Sequence, residues 1–210
     1  MAALDLQEQE QVDALKHWWK DYGQTIALTI IAGVIGYSGV QGWKAWKQHQ
    51  ATQAAAAFAP FAQEAKAEKP DLKKLNQLAD QFIEKNSSSA YAARAALTTA
   101  KQAFVAGDLA QAQKRLEWVL ANSKEADLLV MARLRLAAVL IDTKKFDQAL
   151  KTLEAEHAPE YDSLFAETRG DVLAVKGDKA GAKQAYQKAQ TAADPSRKMA
   201  LDWKLQALGA

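Results

Sequence analysis

The side chains able to do acid–base, nucleophilic or metal chemistry in this 210-residue chain are few and scattered. Its three histidines, His17, His49 and His157, have no partner at a catalytic or metal-ligand spacing. No H-E-x-x-H, G-x-S-x-G or P-loop pattern occurs. There is no cysteine, which excludes disulfides, thiol catalysis and Cys-ligated zinc and suits either side of a bacterial membrane. Glu154 and Glu156 read as solvated helix positions. Glu167 and Asp171 stand at i, i+4, a mildly repulsive spacing that a nearby lysine or a bound basic group would offset. Gly107-Asp108 and Gly177-Asp178 read as turns and lack the pattern of a phosphate cradle. The chain therefore reads as a non-enzyme with no cofactor and no metal site. An enzyme whose site is too diffuse to see is the remote alternative.

What the chain does carry is an organising stretch, residues 22–43, with no charged side chain between Asp21 and Lys44. As a helix it spans roughly 33 Å, against a hydrocarbon core of roughly 30 Å. A helix crosses lipid because it satisfies its own backbone hydrogen bonds. Tyr22 at one end and Trp43 and Trp46 at the other are placed as interfacial anchors. Lys44 and Lys47 can lift their ammonium groups into the headgroups. The alternatives are a buried core helix and a signal-peptide h-region. The head before the run is long and acidic, unlike a basic n-region, so an uncleaved anchor is favoured over a cleaved one, although Gly36-Tyr37-Ser38 has a small-x-small form. The run is only moderately apolar. Gly33, Gly36, Gly39 and Gly42 recur every third residue and drift around the helix, while Ala32 and Gly36 form a small-xxx-small pair. Ordinary glycine enrichment is the plainer explanation. A packing face of Ala32, Gly33, Gly36 and Gly39 against another membrane protein is the sharper one.

Net charge is +2 but uneven. Residues 1–21 hold five acids and two lysines, and the excess of base is spread over the remainder. Nothing forms a nucleic-acid patch with interleaved aromatics. Orientation does not follow from charge: Lys16 and Lys20 precede the span, Lys44 and Lys47 follow it, and the count ties.

In the head, Leu4, Val12, Leu15, Trp18 and Trp19 supply apolar side chains, and Val12, Leu15 and Trp19 share one helical face. This predicts a short amphipathic helix on the membrane surface, with a disordered head as the alternative. After the span, alanine density predicts helix to about Ala59, with a kink or break at Pro60. Lys69-Pro70-Asp71 predicts a turn opening a helix whose stripe is Leu72, Leu75, Leu78, Ala79 and Phe82. Residues 86–89 close that helix and cap the next.

From Tyr91 the sequence repeats. Ala112, Ala149 and Ala182 correspond, at spacings of 37 and 33. Twelve residues before each stands a small residue, Ala100, Ala137 or Gly170, and four after each a bulky one, Leu116, Leu153 or Tyr186. Small residues at these points allow close approach of two antiparallel helices. The turns between hold Gly107-Asp108, Lys145-Phe146-Asp147 and Gly177-Asp178. The pattern resembles the tetratricopeptide repeat, a helix-turn-helix unit near 34 residues, without that family's first tryptophan and with only Asp194-Pro195 in the manner of its closing proline. A non-repeating helical bundle is the alternative. Repeats must stack and be capped, which predicts a degenerate first helix pair within residues 51–85 and a capping helix over 196–208, with Met199, Trp203 and Leu208 facing the preceding repeat.

The expected fold is all-α: a single N-terminal transmembrane helix followed by a tetratricopeptide-like α-solenoid. Its divisions are a cytoplasmic amphipathic head (1–21), the transmembrane helix (22–43), a connector with the degenerate helix pair (44–90), three repeats (91–195) and a capping helix (196–210).

The motifs EQVDALKHWWKDYG, the glycine-rich span, GWKAWKQHQ, GDLAQAQKRL and RGDVLAVKGDKAGAKQAY together resemble the bacterial ancillary Sec-translocon subunit family, the YfgM-like proteins, over nearly the whole chain. The resemblance implies a single-pass bacterial inner-membrane protein with a cytoplasmic amino terminus and a periplasmic repeat domain. It implies association with the SecYEG translocon and the membrane-anchored periplasmic chaperone PpiD, linking emerging secreted client proteins to chaperones, and it brings no catalytic residues. An envelope-assembly scaffold unrelated to secretion is the alternative function. On tetratricopeptide geometry the concave surface is built from the first helix of each pair. The candidate partner groove then comprises Arg94, Leu97, Lys101 and Phe104, then Met131, Leu134 and Ile141, then Leu164, Glu167 and Asp171. It would hold a partner helix or an unfolded segment, unless the chain's own flanking helices fill it.

Overall fold

The computed structural model describes residues 6–209, with side chains described from Gln9 onward. Leu4, assigned above to the head, lies outside the described residues. Among the described residues there are nine α-helices, one 3-10 turn and no strand. The chain divides into two compact units, Met1–Gln53 and Ala54–Ala210.

The described part of the first unit lies within α1 (Leu6–Ala65), the one described helix long and apolar enough to cross a membrane. The sequence predicts a separate amphipathic head, but no break in the helix sets it off. Polar side chains within the apolar run find partners along the helix: Thr29 Oγ1 donates to the Thr25 backbone carbonyl (2.8 Å) and Gln41 Nε2 donates to Tyr37 Oη (2.9 Å). Such pairing lowers the cost of carrying them in an apolar medium. At the end of the run Lys47 Nζ lies 4.2 Å from the Trp43 ring centroid.

The second unit takes in the end of α1 and the helices α2 (Leu72–Asn86), α3 (Ala90–Val105), α4 (Leu109–Asn122), α5 (Ala126–Asp142), α6 (Phe146–Thr152), α7 (Asp162–Lys176), α8 (Lys179–Thr191) and α9 (Pro195–Ala207). The break expected at Pro60 does not occur: α1 continues through it to Ala65. Pro60 itself is exposed, whereas Phe61 is buried and Phe58 packs on Phe61, Phe82 and Tyr91 at centroid distances of 5.1, 5.4 and 5.0 Å. Aromatic burial on that scale offsets the roughly 3 kcal/mol that an interior proline costs a helix.

Helix starts follow the aspartates and serines. Asp71, Ser89, Asp108, Asp178 and Asp194 each cap a helix, with a side-chain oxygen accepting from a backbone N–H two or three residues on. Pairing of α3 with α4, α5 with α6 and α7 with α8 gives the three repeats. Their turns need one residue at positive φ: Gly107 (79°) and Gly177 (94°) supply it in the first and third, and Lys144 (58°) in the second. The second repeat also lacks the aspartate cap, because Lys145 stands at the N-cap of α6 and offers no acceptor. Its second helix is correspondingly short, 7 residues against 14 in α4 and 13 in α8.

The corresponding alanines lie where the paired helices touch: Ala112, Ala149 and Ala182 are all 0 % exposed. Leu116, Leu153 and Tyr186 are buried beside them. One core runs through the first two repeats and into Phe165 and Val172 of α7, and a second joins α7 and α8 to α9 through Leu201. The orientation expected for α9 is corrected here. Leu201 is its buried anchor and Leu205 and Leu208 pack beside it, whereas Met199 and Trp203 are 56 % and 65 % exposed. Met199 and Trp203 are four apart and share a face, but Leu201, two residues from each, lies off it.

Candidate functional site

The inner helices of the repeats, α3, α5 and α7, pack in sequence, α3 on α5 and α5 on α7. Their unpaired faces carry the candidate groove. From α3, Arg94 is exposed with its guanidinium 5.4 Å from the Tyr91 ring centroid, and Lys101 and Phe104 are exposed. Leu97 is corrected: at 3 % exposure it belongs to the core and is closed to a partner. From α5, Met131 is exposed, while Leu134 and Ile141 are half-buried against the core. Leu164 in α7 is half-buried.

Two residues the sequence reading missed, Arg135 and Ala138, complete a real concavity. They join Lys101, Phe104 and Val139 around a cleft of about 200 Å³ between α3 and α5. Its walls are apolar, and its two cations come one from each helix. Tetratricopeptide geometry puts Leu134 toward the groove; its neighbour Arg135, a cation in an otherwise apolar stretch of α5, is the signal that marks the cleft. Arg135 Nη1 donates to the Leu97 carbonyl at 3.3 Å, and burial lowers the guanidinium pKa from its ordinary value.

The acidic end of the groove is closed by the chain itself. Lys204 of α9 lies 2.9 Å from Glu167 Oε1 and 2.7 Å from Asp171 Oδ1, and Arg197 Nη1 lies 2.8 Å from Glu167 Oε2. Tyr186 Oη donates to Asp171 Oδ1 at 2.8 Å. Burial raises the Glu167 carboxyl, but the hydrogen bonds and charges of Lys204 and Arg197 outweigh it and hold the group below the usual glutamate range. Burial likewise lowers the Lys204 ammonium, and Asp171 and Glu167 more than reverse that. Burial and then the Asp171 hydrogen bond push the Tyr186 hydroxyl well up. The i, i+4 acid pair therefore meets its counter-ions within the molecule, and it is not open to a basic ligand in this arrangement.

In the first unit, Ala32, Gly33, Gly36 and Gly39 are exposed along α1, and a Cβ added at any of the three glycines meets nothing within 4 Å. Among the described residues no group of three His, Asp or Glu side chains is placed to hold a metal.

A helix apolar and long enough to span a bilayer, followed by stacked helix pairs with an inner cleft, defines a tetratricopeptide-like helical-repeat protein. The model of the tetratricopeptide repeat-like domain family matches residues 16–210. Curated relatives agree over most of the chain. The ancillary SecYEG translocon subunit of Haemophilus influenzae is 32 % identical over 90 % of this chain and 91 % of its own. Its namesake from Escherichia coli is 31 % identical over 86 % and 85 %, and that from Neisseria gonorrhoeae 30 % over 83 % of each. The chain belongs to the ancillary SecYEG translocon subunit family.

Proposed function

We propose that this protein is a single-pass protein of the bacterial inner membrane that associates with the SecYEG translocon and links emerging secreted proteins to periplasmic chaperones, PpiD among them. The observation that carries the reading is similarity to ancillary SecYEG subunits over 90 % of the chain, beside a repeat-family match that runs from residue 16 through the apolar helix and the repeats. The proposed topology has a cytoplasmic amino terminus and periplasmic repeats. A periplasm-dependent reporter fused after Ala210 is expected to be active; activity of only a cytoplasm-dependent reporter there reverses the topology. The proposed role is binding, with no catalysed step.

Co-purification from membranes in mild detergent tests the association. SecY and PpiD peptides are expected with the intact chain; recovery of other envelope proteins in their place favours the scaffold reading. The same preparation tests the candidate packing face on α1. Changing Ala32 and Gly36 to leucine adds bulk where backbones would meet, while making the helix more apolar. SecY recovery is expected to fall about tenfold at matched membrane level, equivalent to about 1.4 kcal/mol. Unchanged recovery would show that the helix is a plain tether.

A further inference from the structure

Unlike the ion-paired Arg115, Arg197 and Lys204, the two cations of the cleft between α3 and α5 have no carboxylate partner among the described residues. Arg115, nearly buried, pairs with Asp80; Arg197 and Lys204 pair with Glu167 and Asp171. Among the described residues neither Lys101 nor Arg135 has an ion pair, and Arg135 uses its guanidinium only toward the Leu97 carbonyl. Helix α3 contains no acidic residue. The acids of α5 stand near its ends, Asp127 accepting from Tyr161 Oη at 2.8 Å and Asp142 as the last residue. A half-buried guanidinium has lost part of its hydration, and burial lowers its pKa accordingly. Such a group gains most from a carboxylate brought to it in the same low-dielectric site, where charge-assisted hydrogen bonds are strongest. The rest of the cleft is apolar, with Phe104 38 % exposed at its rim and Val139 in its floor. Its volume of about 200 Å³ admits one large apolar side chain but not a folded element.

We propose that this cleft binds a polypeptide segment carrying a large apolar side chain beside an aspartate or glutamate, the apolar group seated against Phe104 and Val139 and the carboxylate on Arg135 and Lys101. The assignment rests on the reading of the protein as an interaction module and names the chemistry that module selects. Complementary charge chooses the occupant: a basic segment meets two uncompensated cations, and a neutral one leaves Arg135 unsatisfied.

The test uses the full chain in mild detergent and fluorescence anisotropy with two short labelled peptides. Both carry leucine beside the variable residue and are blocked at their ends; one has glutamate there, the other glutamine. The glutamate peptide is expected to bind the wild type about tenfold more tightly. Arg135→Gln is expected to abolish that preference while leaving the thermal transition in place. Ala138→Leu, at an exposed position on the cleft wall, fills the cleft without entering the core and is expected to weaken the glutamate peptide. Equal binding of the two peptides, no binding of either, or laurate displacing the glutamate peptide at lower concentration than its own affinity would overturn the assignment. So would a dimer that forms through this cleft and is lost in Arg135→Gln. SecY recovery from wild-type membranes separates the levels: retained recovery with no charge preference sinks the cleft alone, and lost recovery sinks the parent reading.

Discussion

Replacing Gly170 with alanine lowers the stability of the repeat region, although the same exchange in an ordinary helix raises it by about 1 kcal/mol. The reason is the ring of Tyr186. A Cβ at residue 170 falls inside contact distance of Tyr186 Cε1 and Cδ1 and 3.0 Å from Cζ. The ring has nowhere to go: it is 3 % exposed, and its hydroxyl is held by Asp171. Overpacking of this kind costs about 1–3 kcal/mol, or several degrees in Tm at roughly 2–4 °C per kcal/mol for a domain of this size. The first two repeats show the alternative solution, alanine at Ala100 and Ala137 facing leucine at Leu116 and Leu153. Gly170→Ala placed on a Tyr186→Leu background recreates that pairing and is expected to be neutral or stabilising. Thermal melts of the full chain, wild type, single variants and double variant, decide the matter. A higher Tm for Gly170→Ala alone rules the clash out.

Lys204→Met removes the cation shared by Glu167 and Asp171, leaving Glu167 with Arg197 alone and half-buried Asp171 with no cation. At neutral pH this is expected to cost about 2 kcal/mol, less than the loss of one partner from a fully buried pair because these groups remain partly hydrated. The pH dependence is the sharper readout. Glu167 has a folded pKa below its ordinary value, 4.5, so its contribution is complete above that value and is lost as pH falls through the folded one. Lys204, raised above 10.5, contributes below that value and loses its contribution as pH rises through the folded one. Between these limits the wild type holds its advantage over Lys204→Met. As pH falls through the folded value of Glu167, the difference closes. Denaturant unfolding of both proteins across this range measures it, and a difference that stays constant into acid would show that Lys204 acts through packing alone.

The helical content and the repeat register were legible because they rest on local rules. The Lys69-Pro70-Asp71 turn and the serine run ending at Ser89 mark two helix starts, and alanine spacing places the contacts at Ala112, Ala149 and Ala182. Where long-range packing overrode a local rule, the sequence misled. Pro60 announces a break that aromatic burial around Phe58 and Phe61 prevents. In α9, Met199, Trp203 and Leu208 are expected to face the preceding repeat, whereas Leu201 is the residue buried against α7 and α8, and of the three only Leu208 packs beside it. The groove was legible only in part. Repeat-family geometry picks out the inner helix but not which of its apolar residues a neighbouring helix covers, and Leu97 is one of those covered. Arg135 was passed over because its significance is the carboxylate it lacks, a property of the assembled helices.

Sixteen of the 31 buried apolar residues among those described are alanines, so the interior is filled as much by adjacent backbones as by large side chains. Such an interior gives mutation an unequal landscape. Truncation has little to remove at these positions, whereas almost every exchange open to alanine adds atoms where helices already touch. Over evolutionary time, drift at Ala112, Ala149 and Ala182 should be confined to glycine, serine or alanine. Change would accumulate on the outer faces and in the cleft, leaving lineages free to alter what the repeats bind while keeping how they stack.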